Sequence, residues 1–360
     1  MKRVLFLGLI LILAAYPATT FGQVDTDLWF VVPELSHRNN TGGTPGTLRI
    51  STLELEATVT ISMPANPYHP TSNPNGFQDI VIDIPANSAS AVDLSHLIDT
   101  DALPNNNRLE NKPLTPQGIN DFGLHITSTN RITAYWEVNY QWGSDLWTLK
   151  GSNGLGTLFY TPFQTIYPNN NILPARAYSA IDVVATEDNT RITFQLPAGK
   201  AASYGLNAAN TIPAGGTYTT PPLRKGQTFS IYPFRYSTLG ADRLSGTRVS
   251  STSPIAVSVK DDAILTPPSG QTTVGDQIVP VSIAGENYIV PEVQNPNHVY
   301  ILATEDNTNI EVFIADGTNI LSTVLNEGEQ IMAMIPNGAK FARITSRLNA
   351  GDPFKPIYVW

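Results

Sequence analysis

The chain has 360 residues, 30 acidic against 21 basic side chains for a formal charge of −9, and no cysteine. Without thiols it can be neither a disulfide scaffold nor a thiolate metal site, and without a basic stripe it has nothing to neutralise nucleic-acid phosphates. Charged residues are only 14% of the sequence, with 28 Pro and 26 Gly spread along it, a composition that suits short strands joined by many turns.

The elements begin with a leader. Lys2 and Arg3 precede an apolar run from Val4 to Ala15, and small and polar residues follow to Gly22. That order predicts a secretory signal peptide over 1–22. The run is too short for the roughly 20 residues a membrane-spanning helix needs, and no later stretch is long and apolar enough. The mature chain is therefore expected to be secreted or held at the cell surface, with no membrane insertion once the leader is removed.

Three units follow, at 24–150, 151–290 and 291–360, divided at the Gly-rich Gly151–Gly156 and the Pro/Asn-rich Pro291–Asn297. They are recognised by internal repetition. Residues 183–194 read VVATEDNTRITF and residues 301–312 read ILATEDNTNIEV, sharing ATEDNT letter for letter; residues 50–61, ISTLELEATVTI, are a weaker copy. Apolar residues alternate on either side of each turn (Ile181, Val183, Ala185; Ile192, Phe194, Leu196), the period of a strand with one buried face. The sequence thus predicts a hairpin at each copy, turned by Glu-Asp-Asn-Thr. Aliphatic strands before polar turns come next, at Ile82, Thr211 and Val324. A second pair of short strands around a Ser/Thr turn comes last, at His125–Tyr135, Arg248–Ser258 and from Arg343 to Pro356 onward. Val92 to Ile98 could form a short helical turn, and no long segment has helical periodicity with caps. The expected fold is all-β, a tandem array of β-sandwich-like repeats with short strands and hairpins. The last residues, Pro356 to Trp360, read as mid-strand, so the chain is expected to continue.

Two patches invite chemistry. Acidic turns offer oxygens to a hard cation such as calcium: Glu187, Asp188 and Asn189 in one copy, Glu305, Asp306 and Asn307 in the other. Each supplies too few ligands alone, and a turn held by side-chain-to-backbone hydrogen bonds is the favoured reading. The run from Tyr135 to Trp147 holds three of the five tryptophans. Trp136, Tyr140, Trp142 and Trp147 are candidates for a ligand platform, with Glu137 and Asp145 as a carboxylate pair if the platform hydrolysed glycans. Alternation along a strand sends neighbouring rings to opposite faces, which favours core packing for at least some of them. The five histidines, His37, His69, His96, His125 and His298, show no metal-binding spacing. No G-x-S-x-G elbow occurs, and the glycines at 151–156 lack the βαβ context of a dinucleotide site. The pattern implies a non-enzymatic protein without a cofactor.

Several stretches together resemble the N-terminal domain of IgGFc-binding proteins. These are TDLWFVVP from Thr26, GTLFYTPF from Gly156, VVATEDNTRITF, LSGTRVSSTSPIAV from Leu244, and DQIVPV from Asp276. The resemblance covers the chain from about Asp25 to Trp360. It implies an exported surface protein that binds or adheres through contacts with an extracellular protein or glycan. A structural spacer displaying other domains is the alternative, and a carbohydrate-active enzyme the least favoured. It carries over no catalytic residue.

Overall fold

The computed structural model describes residues 23–36, 44–98, 108–140, 143–170, 177–266, 270–292, 297–347, 353 and 355–360. The leader 1–22, His37 and Trp142 lie outside the described residues, as does the side chain of Tyr140. The first unit contains β1 (Asp25–Val31), β2 (Thr44–Thr52), β3 (Ala57–Ser62), β4 (Ile80–Ile84), β5 (Ala89–Asp93), β6 (Ile119–Asn120), β7 (Gly123–Tyr140) and β8 (Gly143–Leu149). The second contains β9 (Leu155–Thr161), β10 (Ser179–Ala185), β11 (Ile192–Gln195), β12 (Ala202–Ser203), β13 (Thr211–Ile212), β14 (Thr217–Thr219), β15 (Thr228–Pro233), β16 (Thr247–Thr266) and β17 (Gly270–Ile278). In the third are β18 (Asn287–Pro291), β19 (Asn297–Ala303), β20 (Thr308–Ile314), β21 (Asn319–Leu325), β22 (Gln330–Ile335), β23 (Phe341–Thr345) and β24 (Ile357–Val359); β18 begins before the expected division at 291 and belongs with this unit because it pairs with β23. Ser95–Leu97 makes a single 3-10 turn inside the stretch expected to be helical.

The protein is all-β, and each unit has its own apolar core. The third unit shows the plan most plainly: one sheet runs β18-β23-β20-β21, the other β22-β19-β24. Between them lie Val299, Ile301, Ile310, Val312, Ala342, Ile344 and Ile357. Units one and two repeat this plan with one difference. A single long strand, β7 or β16, serves both sheets: its first half bonds β3 and β1 (or β11 and β9), its second half β2 and β8 (or β10 and β17).

This topology corrects two expectations. The ATEDNT segments do not close hairpins. β10 pairs with β16 through Val183↔Val257 and β11 through Phe194↔Val249, while β19 and β20 lie in different sheets. Each segment is an arch over the edge of the core. Alternating burial reports a face turned to the core and is blind to the strand's hydrogen-bonded neighbour. The Ser/Thr segments are likewise not reversals in the first two units. They are bends in one strand, where Ser128 Oγ donates to Asn130 O at 2.7 Å and Ser251 Oγ to Ser253 O at 2.6 Å. Arch and bend are tied together: Thr186 Oγ1 donates to Pro254 O at 2.6 Å and Thr304 Oγ1 to Pro356 O at 2.7 Å.

The units dock by a repeated junction. Outward residues of β1, Trp29 and Val31, pack on Val184 and Ala256 of the second unit. At the equivalent place Leu158 and Tyr160 of β9 meet Leu302 and Tyr358 of the third. Trp29 lies opposite His125 in register, and Tyr160 opposite Arg248. A turn of the incoming unit closes each junction. In the first, Lys225 Nζ lies 5.3 Å from the Trp29 ring, which stacks on His125 with centroids 4.0 Å apart. In the second, Glu327 accepts a hydrogen bond from Tyr160 Oη and sits 3.6 Å from Arg248 Nε. Glycine meets glycine at both: Gly123 N donates to Gly226 O at 3.0 Å, and a Cβ at Gly246 would overlap Gly328 O.

The first junction is the larger one. β6 pairs with β15 across it, and Asn111 Nδ2 donates to Asp182 Oδ1 (2.9 Å) and Phe229 O (3.1 Å). β8 reaches β17 through Thr148 N to Asp276 Oδ1 at 2.9 Å and Lys150 Nζ to Asp276 Oδ2 at 2.5 Å.

Candidate functional site

The aromatic run of the first unit is divided by its strands. Trp136 on β7 and Trp147 on β8 face each other in register and are 1% and 0% exposed. A Cβ at Gly46 would overlap the Trp136 ring, and one at Gly275 the Trp147 ring, so each indole lies flat on a backbone left bare by glycine. Trp147 Nε1 donates to Val259 O at 3.3 Å, which satisfies the buried N–H. Both tryptophans are core, and neither can serve as a ligand platform. Glu137 pairs with Arg49, on the face opposite Trp136 and Val138. Asp145 points to the other face, where Gly275 N–H donates to it at 2.7 Å. Burial pushes the Asp145 carboxyl up to about 6. The two carboxylates are not brought together, and the glycosidase reading loses its acid pair.

Each acidic turn spends one carboxylate oxygen on backbone. Asp188 Oδ1 accepts Lys225 N–H at 2.9 Å, and Asp306 Oδ1 accepts Glu327 N–H at 3.1 Å. Thr190 and Thr308 each donate to the carbonyl three residues back, of Glu187 and Glu305, at 2.7 Å. Asn189 and Asn307 take the left-handed conformation, φ 60° and 53°, which Asn tolerates better than most residues. These are the bonds of an arch fastened to the turn that closes each junction. Among the described residues no group of three or more His, Asp or Glu is placed to hold a metal ion.

A different patch gathers binding chemistry, at the end of β15 in the second unit. Tyr232 stacks on Tyr236 with centroids 4.2 Å apart, and Tyr178 meets both edge-on at 5.6 and 5.1 Å. Lys260 Nζ lies 3.3 Å from the centre of the Tyr178 ring and donates to Glu34 O. Tyr178 Oη donates to the Glu34 carboxylate, and burial with that negative neighbour holds the phenol far above its ordinary range. Tyr232 and Tyr236 line a cleft of about 340 Å³ together with Ser203, Leu206, Asn207 and Arg235. Tyr178 and Tyr232 are buried, 2% and 3% exposed, and support the half-buried Tyr236 ring from behind. Leu206 is 60% exposed at its rim.

The backbone of this cleft is strained. Arg235 and Tyr236 are consecutive non-glycine residues with φ of 53° and 58°, a region that costs of order 1–3 kcal/mol per residue and persists where neighbours enforce it. Here Ser203 Oγ accepts Arg235 N–H at 3.2 Å, the Arg235 guanidinium lies 4.9 Å from the Phe234 ring, and the tyrosine stack holds the Tyr236 ring. The strain turns Arg235 outward beside the rings. Sequence reasoning passed over this patch, although the run Tyr232-Pro-Phe-Arg-Tyr236 carries three aromatics and an arginine in five residues. Tyr178 is 54 residues away and could not be joined to it without the fold.

Two further clefts, of about 390 Å³ between Asn66 and Arg108 and about 440 Å³ beside Asp83 and Asn130, are open and lined largely by exposed polar side chains. Neither has an aromatic stack. Among the described residues no helix is long and apolar enough to cross a membrane.

Comparison with solved structures returns a biofilm associated protein, BSP domain. It is 9% identical, over 91% of this chain and 64% of that one, with a TM-score of 0.16; at that score it carries no argument about fold or function. The chain spans less than two thirds of that structure. Comparison with curated proteins gives no match. A family model described as IgGFc binding protein matches residues 145–359, from β8 through the whole of the second and third units. The match covers more than half of the chain, and the protein belongs to the IgGFc-binding protein family.

Proposed function

We propose that the chain is an extracellular, non-enzymatic binding or adhesion module whose ligand, a protein or a glycan, is held at the tyrosine-arginine cleft of the second sandwich. The observation that carries this reading is the strained Arg235–Tyr236 pair, which presents a guanidinium beside stacked rings. Tyr and Arg dominate the energetics of protein interfaces, and the half-buried Tyr236 ring beside the exposed Arg235 suits a sugar equally. The cleft lies within the stretch matched by the family model, and the family's name suggests immunoglobulin Fc as one ligand to try. The glycine-clasped junctions support a second reading, a spacer that displays other domains.

The test is a binding screen of the purified protein against immunoglobulin Fc, mucin and a glycan array, followed by Arg235→Ala and Tyr236→Ala. At least about a tenfold loss of affinity is expected for each, with circular dichroism unchanged. Ligands that bind both variants as they bind the parent protein would remove the cleft from the account. A screen negative throughout would leave the spacer.

A further inference from the structure

Each junction engages the same outward positions: the β1 or β9 residue (Trp29, Tyr160), its neighbour on the long strand (His125, Arg248), and a glycine two residues before that neighbour (Gly123, Gly246). The third unit carries this face again, and among the described residues nothing covers it. Ile289 stands where Trp29 and Tyr160 stand, opposite Arg343, and is 72% exposed. Phe341 stands at the glycine position and is 38% exposed. Phe313 lies beside Arg343 in register, its ring 5.6 Å from the guanidinium, and Glu311 lies one row further along the same face.

Further stacking of the same kind is blocked here. At Gly123 and Gly246 even a Cβ would overlap the carbonyl of the incoming turn, and Phe341 puts a whole ring there. Head-to-tail stacking of two molecules also fails on chemistry. In the first unit the positions of Val184 and Ala256 are taken by Ser51 and Thr133. The next two outward rows hold Arg49 opposite Tyr135 and Thr47 opposite Glu137, with Arg49 and Glu137 paired diagonally. That is a polar end face, of the kind a capping repeat carries.

We infer that the outward face of β18-β23-β20 is an interface between two copies of this chain, packed face to face about a two-fold axis. An isologous contact requires a patch complementary to itself. This one holds apolar Ile289, Phe341 and Phe313 together with one cation and one anion, and a diagonal axis through Phe313 sets Arg343 of each molecule against Glu311 of the other. Arg343 then finds a carboxylate as Arg248 finds Glu327 in the second junction.

Sedimentation of the purified protein over a wide concentration range is the test. A dimer that dissociates on dilution is expected, and Ile289→Lys should leave only monomer with an unchanged circular dichroism spectrum and melting temperature. Arg343→Glu and Glu311→Arg should each weaken association by about tenfold or more, and the double variant should recover most of it. A monomer at every concentration overturns the inference. So does a dimer indifferent to Ile289→Lys, and so do two weakened single variants whose combination shows no recovery. None of these outcomes bears on ligand binding at the second sandwich.

Discussion

Asp182 shows how one side chain can oppose the fold that contains it. It sits on β10, fully buried, with Ser230 and Ser258 as its cross-strand neighbours and Asn111 donating to Oδ1. Burial raises its carboxyl to about 6 from 3.8, although Lys260 pulls the other way. A pKa raised by folding means that the folded state prefers the protonated form. The associated stability is fully present below pH 3.8 and is lost as pH rises through about 6, a difference of about 3 kcal/mol. Asp182→Asn keeps the acceptor for Asn111 and offers an amide to the flanking hydroxyls. It should raise the melting temperature at pH 8 and make no difference at pH 3.5. Thermal melts of both proteins at the two values check this, and an equal shift at both would show that the charge is not the cause.

At the scale of elements, the acidic arches are the instructive case. ATEDNT was visible in the sequence as a repeated turn, and its hydrogen bonds are those of a turn, with Asp188 and Asp306 holding the amides of Lys225 and Glu327. Calcium and a chelator are therefore expected to leave the melting temperature equally unchanged; a rise with calcium would show that the carboxylates ligate it. What sequence could not show was which strand each arch joins, because Ile181, Val183 and Ile192 would alternate identically in a hairpin. The same limit applied to the aromatic run: alternation set Tyr135 and Trp136 on opposite faces, yet only the pairing of β7 with β8 placed both Trp136 and Trp147 inside. The tyrosine cleft was illegible for a different reason, since it depends on two left-handed residues and on rings far apart in the chain.

The molecule as a whole is three cores joined by two clasps of bare backbone. Gly246 has φ +82° and no room for a Cβ against Gly328 O. Gly246→Ala combines backbone strain with a clash and should cost about 2–4 kcal/mol. The loss falls on the junction, so calorimetry should resolve a separate, earlier transition for the third unit. A single transition shifted as a whole would show instead that the residue supports the second core.

The long strands β7 and β16 also set a timetable. Neither sheet of the first unit can be completed before residues 123–140 exist, nor either sheet of the second before 247–266, because each sheet borrows its central strand from that segment. As the chain emerges from its N-terminus, the early strands of each unit can pair with one another, β2 with β5 and β3 with β4, or β10 with β15 and β11 with β14. Each of these pairs keeps an open edge until the late strand arrives. The units then close in succession, each upon a neighbour already formed. The exposed interval before each closure is when such a chain most needs protection from its own strand edges.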